Sequence, residues 1–133
     1  MTPEGPQIEF IAEGSEDCPL LQISGSDLQS SRELFHAIRG MRDRMVGGFM
    51  MHDVPGFEEC RRPELAFEIT DSNLGVQRSS GGGGFRWALS YDGWTQVEDF
   101  LAPFCCHDSS MPGFQWLDES SDISVLFSPG GGW

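Results

Sequence analysis

The sequence predicts an α+β fold, with a mainly antiparallel twisted sheet and two helices packed on one face. Apolar residues recur at a helical period in two segments and alternate at a period of two in most of the others. Clusters of glycine, serine and aspartate separate these segments, as turns do. A chain of 133 residues has the size of one domain. We therefore expect a single α+β domain, spanning residues 1–133, that needs no disulfide to fold.

The longer helix is predicted to run from about Ser31 until Gly47 ends it. Ser30 and Glu33 have the spacing of a capping box, in which a hydroxyl and a carboxylate satisfy the first free N–H groups of a helix. One face of the helix is apolar. That face consists of Leu34, Phe35, Ile38, Met41 and Met45.

A second helix is predicted after the strand 85–90. Thr95 and Glu98 form its capping box, and Pro103 is expected to stop it. The strand, turn and helix of 85–104 repeat the order of 20–45, which suggests a related layout. The apolar stripe of this helix is Trp94, Val97, Phe100, Leu101 and Phe104.

The remaining strands are predicted as three hairpins, and one long segment as a loop. Residues 49–64 have no clean period and contain two prolines, which indicates a surface loop from which Phe49, Met50 and Phe57 reach apolar surroundings. The run RSSGGGG lacks the lysine of a phosphate-binding loop and predicts a flexible hairpin tip at 79–84. The tail 129–133 is expected to be loose. The hairpins pair 7–12 with 20–24, 65–70 with 74–77, and 115–117 with 123–128.

The net charge of −13 is unevenly distributed along the chain. All eight basic residues are arginines between Arg32 and Arg86, so the two ends of the chain carry the whole net charge. Such a field repels nucleic acid and anionic membranes and attracts a basic partner. The alternative is that the acidity only keeps the protein soluble.

The sequence also predicts the cellular compartment of the protein. The amino terminus has no basic start followed by an apolar run, and no stretch approaches the roughly 20 apolar residues of a membrane span. The four cysteines lack the spacing of a disulfide framework, which favours free thiols in a reducing compartment. We therefore expect a soluble, cytoplasmic protein.

The cysteines and histidines leave one chemical alternative open. Cys105, Cys106 and His107 are consecutive, and a tetrahedral metal site would have to recruit Cys18, Cys60 or His52 from elsewhere in the chain. His52 also lies beside Asp53, but no nucleophile accompanies this pair. The sequence therefore predicts no cofactor and no catalytic group, with a small metal-binding protein or enzyme as the alternative.

The most informative constellation combines aromatic and acidic residues. One group lies at a strand end and helix start, and the other around the final hairpin, so we expect both on a shared surface. Interfaces favour such rings as anchors, and carboxylates pair with basic groups of a partner. Alternatively, Trp94 and Trp116 belong to the core and the acids form a solvated rim. The predicted partner-binding residues are Tyr91, Asp92, Trp94, Glu98, Asp99, Trp116, Asp118, Glu119 and Asp122.

Two segments resemble a known family. ISGSDLQSSRELFHAI, a strand, a glycine turn and a capped helix, resembles the opening of barstar-type inhibitors, and DISVLFS resembles their last strand. More broadly, the acidic α+β layout and the ending GFQWLDESSDISVLFS resemble small bacterial immunity proteins, which neutralise polymorphic toxins. The resemblance implies a non-enzymatic inhibitor whose partner is a cognate toxin or another basic protein. A mimic of nucleic acid that blocks a DNA-binding protein is a further alternative.

Overall fold

The structure is a computed structural model that describes residues 6–13, 18–24, 28–44, 48–60, 63–79, 84–105 and 114–128. It has an α+β fold with two helices, which confirms the predicted class. In chain order the elements are β1 (Gln7–Ile11), β2 (Leu20–Ser24), α1 (Leu28–Arg44), β3 (Gly48–Met50), a 3₁₀ turn (Met51–Asp53), β4 (Glu64–Ile69), β5 (Gly75–Arg78), β6 (Gly84–Leu89), α2 (Tyr91–Cys105), β7 (Gln115–Asp118) and β8 (Ser124–Ser128).

The strands form two four-stranded sheets rather than one. Sheet 1 has the order β1-β2-β8-β7 and sheet 2 the order β3-β4-β6-β5. In each sheet the outer strands are antiparallel to their neighbours, whereas the inner pairs, β2 with β8 and β4 with β6, are parallel. The prediction of one sheet is therefore wrong. Most strand pairs are antiparallel, as predicted, but each sheet is mixed, because alternation of side chains does not distinguish parallel from antiparallel neighbours. The placement of both helices on one face stays a prediction.

The chain divides into two halves of identical topology. The first half is β1-β2-α1-β3-β4 and the second is β5-β6-α2-β7-β8, so each half gives one antiparallel hairpin to each sheet. Exchanging the halves converts sheet 1 into sheet 2, including the parallel inner pair. The β2–α1 and β6–α2 segments, which show the same order of predicted elements in the sequence, therefore occupy equivalent positions in the fold.

Strand pairing differs from the sequence prediction at one hairpin. β4 and β5 do not pair with each other, because β6 lies between them. Leu65 is opposite Phe85, and Val76 is opposite Trp87. The other two predicted hairpins are present as β1–β2 and β7–β8.

Both helices begin earlier than predicted, so neither capping box is formed. α1 begins at Leu28, which places Ser30 and Glu33 inside the helix, and the Glu33 carboxylate accepts a hydrogen bond from Gln29 Nε2 at 3.0 Å. α2 begins at Tyr91, and the Thr95 hydroxyl donates to the Tyr91 carbonyl at 3.0 Å. Pro103 lies in the last turn of α2, where only two more residues follow it.

The segment predicted as a surface loop contributes to the core. It contains β3 and the 3₁₀ turn, and Met51 and Phe57 are completely buried. Phe49 of β3 stacks on Phe67 of β4 with 4.4 Å between ring centroids, and Phe67 is in turn 5.3 Å from Trp87. The apolar contacts of Phe49 and Phe57 agree with the prediction, whereas two prolines and an irregular polar pattern concealed β3 and the burial of Met51.

The two sheets also meet each other. Val76 of β5 forms an isolated bridge with Ile123, just before β8. The Trp87 indole of β6 donates to Asp118 Oδ2 of β7 at 2.7 Å. The glycine-rich tip joins the antiparallel β5 and β6, with Ser79 N–H donating to the Gly84 carbonyl, but residues 80–83 and the tail 129–133 lie outside the described residues.

Candidate functional site

The site is built around the start of α2, which is fastened to the loop after β4. The Ser90 hydroxyl accepts a hydrogen bond from the Gly93 N–H at 3.2 Å and thereby caps the helix. Asn73 Oδ1 accepts from both the N–H and the hydroxyl of Ser90, each at 2.9 Å. Any side chain at position 93 would collide with this Asn73 oxygen. The lack of a Cβ at Gly93 therefore allows the loop to close against the first turn of α2.

An open groove of about 400 Å³ lies between α2 and β7. Gln96 and Phe100 line it from the helix, and Phe100 is 38% exposed although it belongs to the predicted apolar stripe. Trp116, Asp118 and Glu119 line it from the strand and the following hairpin. The groove thus combines aromatic rings with carboxylates.

A second pocket of about 390 Å³ lies next to this groove, on the other side of the Asn73–Ser90 contact. It is lined by Ile69 and Asp71 from the end of β4 and by Tyr91 and Asp92 from the start of α2. β4 and the strand before α2 are parallel neighbours, and ligand crevices in parallel sheets form beyond the carboxyl ends of strands. This pocket therefore has the location of a binding crevice and an acidic lining.

The carboxylates around the two pockets have no cationic partner within the described part of the chain. Asp71, Asp92, Asp99 and Glu119 are exposed and form no ion pair there. The same is true of Asp122 in the final hairpin. Neither Asp122 nor Asp99 lines a pocket, but Asp99 precedes the groove residue Phe100 in α2. We use the term α2 surface for the two pockets and their rim. The α2 surface consists of Asp71, Tyr91, Asp92, Asp99, Phe100, Trp116, Asp118 and Glu119.

Trp94 was predicted to bind the partner, but it is a core residue. Its side chain is completely buried, and its ring centroid lies 4.8 Å from that of Trp87. Its indole N–H donates to the Glu68 carbonyl at 2.9 Å. Trp94 therefore cannot contact a partner without disruption of the core.

Glu98 was predicted to face solvent, and this is also wrong. The residue is only 5% exposed, because the arginine-bearing face of α1 packs over it. Arg42 donates two hydrogen bonds to the Glu98 carboxylate, from Nε to Oε2 and from Nη2 to Oε1. Arg39 Nε lies 3.6 Å from the same carboxylate. Glu98 therefore joins the two helices and is not part of the α2 surface.

Tyr91 contributes to both the helix contact and the surface. Its hydroxyl accepts a hydrogen bond from Arg42 Nη1 at 2.7 Å, and the guanidinium carbon lies 5.1 Å from the ring centroid. Hydrogen bonding to Glu98, followed by its charge and by Tyr91, raises the pKa of Arg42 against the opposing effect of burial. Tyr91 remains 40% exposed on its other side. It is thus a ring held in place by a partly buried guanidinium and still open to a partner.

Asp118 and Trp116 combine a structural contact with a position in the groove. Asp118 accepts hydrogen bonds from the Trp87 indole at 2.7 Å and from the Ser120 N–H at 2.9 Å. Trp116 is partly buried and packs edge-on against Phe114, with 6.5 Å between the ring centroids. These contacts fix the orientation of both side chains at the groove wall.

Sequence reasoning missed several residues of the site. Asp71 and Asn73 were assigned to a turn of the wrong hairpin, so nothing placed them beside α2. Phe100 was assigned to the apolar stripe, although the helix carries it at the edge of the groove. The period of 3.6 residues placed Phe100 on the apolar face of α2. It could not show that Phe100 lies at the edge of that face, beside the groove.

The metal-binding alternative depends on residues that the structure does not describe. The side chain of Cys105, and Cys106 and His107, lie outside the described part of the chain. Among the described residues, no group of three or more histidine, cysteine or acidic side chains is arranged to hold a metal ion. Cys60 is buried, and burial together with Glu58 and Glu59 raises its pKa to about 11. At neutral pH it is therefore a protonated thiol, which is a poor nucleophile and a poor metal ligand.

Comparison with known proteins found no family model, no curated protein and no solved structure that matches this chain. None of the helices in the described ranges is long and apolar enough to cross a membrane.

Proposed function

We propose that this chain is a non-enzymatic protein-binding inhibitor, an immunity protein of the bacterial cytoplasm that neutralises a basic toxin through the α2 surface. One observation carries the proposal. The carboxylates that line the two pockets, Asp71, Asp92, Asp118 and Glu119, form no ion pair in the described part of the chain, whereas Arg39 and Arg42 of α1 are bound by Glu98. A basic partner would supply the missing charge.

The exposed rings distinguish this proposal from a role of acidity in solubility alone. A charged surface that serves only solubility does not require exposed aromatic side chains. Tyr91, Phe100 and Phe114 are each about two-fifths exposed, and all lie in or beside the carboxylate-lined pockets. Rings of this kind supply most of the affinity at protein interfaces, whereas rim charges set the association rate.

Net charge would add long-range attraction to these contacts. A chain with a net charge of −13 draws a cationic protein toward it, and the unpaired carboxylates concentrate this field at the α2 surface. At physiological ionic strength the screening length is about 8 Å, so the attraction is sensitive to added salt. Association with the partner should therefore slow as salt is raised, while dissociation changes less.

The test is complex formation with the toxin encoded in the gene beside that of this chain. The two purified proteins are mixed at equal concentration and run by size exclusion, and the toxin's activity is measured in parallel. A stable complex with an inactive toxin supports the proposal. A toxin that elutes alone and keeps full activity would contradict it.

A further inference from the structure

An aromatic ring of helix α2 lies close to carboxylates on two sides of the helix, and a guanidinium of the described residues occupies only one of these sides. Toward α1, Tyr91 and Glu98 together hold the guanidinium of Arg42. Toward β7, Phe100 lies in a groove whose opposite wall includes Asp118 and Glu119. Among the residues that the structure describes, no arginine lines this groove. The groove therefore repeats the chemistry of the Arg42 site without its cation.

The rest of the fold uses the same pairing of a guanidinium with a ring. The guanidinium carbon of Arg39 lies 5.6 Å from the ring centroid of Phe35. That of Arg78 lies 4.9 Å from the centroid of Phe10 and 5.5 Å from that of Phe85. A planar guanidinium stacks on a ring and donates to a carboxylate at the same time, which an ammonium group does less well.

The side chains of the groove wall are already oriented to bind a guanidinium before any partner binds. Asp118 is oriented by the Trp87 indole and by the Ser120 N–H, so one carboxylate is fixed at the wall. Glu119 beside it is exposed and forms no ion pair in the described part of the chain. The volume of about 400 Å³ is sufficient for one long side chain. Preorganised walls reduce the entropy lost on binding.

We propose, on the basis of the function proposed above, that the groove between α2 and β7 receives one arginine side chain of the basic partner. Its guanidinium stacks on Phe100 or Trp116 and donates hydrogen bonds to Asp118 and Glu119. The partner is thus a protein that presents an exposed arginine on a protruding segment. Charge complementarity selects the cation, and the aromatic wall selects arginine over lysine.

The probe for this site is the blocked tripeptide acetyl-Gly-Arg-Gly-amide, titrated into ¹⁵N-labelled protein. Binding is followed by NMR through the indole N–H of Trp116 and the backbone N–H of Phe100. The control peptide replaces arginine by citrulline, which has nearly the same shape but no charge. We expect saturable shifts at these two positions with arginine, and about tenfold weaker binding with citrulline.

Two protein variants localise the binding. Glu119→Gln removes a groove carboxylate and should weaken the arginine peptide about fivefold, because one charge-assisted contact is lost. The matched control is Glu9→Gln on β1, an exposed carboxylate at the opposite edge of sheet 1, which should leave the affinity unchanged. A lysine tripeptide should bind more weakly than the arginine peptide.

The inference would be overturned by no binding of the arginine peptide, by equal binding of the citrulline peptide, or by equal weakening by both variants. Shifts at Trp116 that depend on protein concentration and not on peptide would also overturn it, because a second copy of the chain would then fill the groove. The toxin complex separates this failure from that of the proposed function. If the complex forms and the arginine peptide does not bind the groove, the inference fails and the proposed function stands.

Discussion

The two sides of α2 show how one kind of side chain takes two roles. Glu98 on the inner side is buried and bound by Arg42 of α1, whereas Glu119 on the outer side lines an open groove and has no cationic partner in the described residues. Tyr91 belongs to both sides. Whether a carboxylate is structural or available to a partner depends on whether the chain itself supplies an arginine beside it. Substitutions on the two sides should therefore differ in what they change.

The largest loss of stability is expected from substitution of Trp94, the core residue of α2. Trp94→Ala should lower the free energy of unfolding by about 3–5 kcal/mol, because it leaves a cavity against Trp87 and removes the hydrogen bond to the Glu68 carbonyl. Urea denaturation measures this loss. The control is Trp116→Ala at the groove wall, which should cost clearly less. Equal losses would mean that Trp116 is as much a core residue as Trp94.

The second largest loss of stability is expected from substitution of Glu98, the carboxylate between the two helices. Glu98→Gln should destabilise the fold by about 3 kcal/mol, since it leaves the partly buried Arg42 guanidinium without its counter-charge, while the exposed Arg39 adds little. A double-mutant cycle with Arg42→Met isolates the pair from its surroundings. Strictly additive losses in that cycle would show that the two helices are not joined by this ion pair.

The outer carboxylates should have almost no effect on stability. Asp99→Asn and Glu119→Gln should each change the free energy of unfolding by less than about 0.5 kcal/mol, as is usual for exposed residues without specific contacts. Thermal melts measure this difference. A loss as large as that of Glu98→Gln would remove the distinction between the two sides of the helix.

The smallest expected effect is a change in the pKa of Glu68, a carboxylate that is paired with Arg86 at the protein surface. Arg86 donates two hydrogen bonds of 2.7 Å to Glu68, and they lower the Glu68 pKa despite the opposing effect of partial burial. Because the folded pKa is below that of the unfolded chain, this group stabilises the fold above the ordinary glutamate pKa, and the contribution is lost as the pH falls through the lowered value. Arg86→Gln should return the pKa of Glu68 toward its ordinary value. A ¹³C NMR titration of the two proteins measures the shift, and identical titrations would contradict the effect.

Much of the fold was predictable from local patterns. Alternation located β1, β2, β6 and β8, and the two apolar stripes located both helices. The pairing of strands was not predictable in the same way, because β4 and β8 join their parallel partners through contacts between distant parts of the chain. The DSN turn locally favours a hairpin between β4 and β5. Burial of Phe85 and Trp87 of β6 between these two strands outweighs that local preference.

The site was predictable only in part, for a related reason. The acidic and aromatic composition indicated the right region, and Tyr91, Asp92, Trp116, Asp118 and Glu119 do line the two pockets. Burial of Trp94 and Glu98 was not visible, because it results from the packing of α1 against α2. The arginines of α1 were the missed signal, since a buried guanidinium requires a carboxylate from a neighbouring element.

The most direct measurement of the central claim is the association rate with the toxin at two salt concentrations, followed by stopped flow. Asp71→Lys combined with Glu119→Lys reverses one carboxylate in each pocket of the α2 surface. Glu9→Lys combined with Glu13→Lys makes the same change in charge at exposed positions in and just after β1. The account predicts that the first pair slows association at least about tenfold at low salt and reduces its salt dependence, while the second pair has a much smaller effect. Equal slowing by both pairs, or an association rate indifferent to salt and to both, would contradict a binding role of the α2 surface.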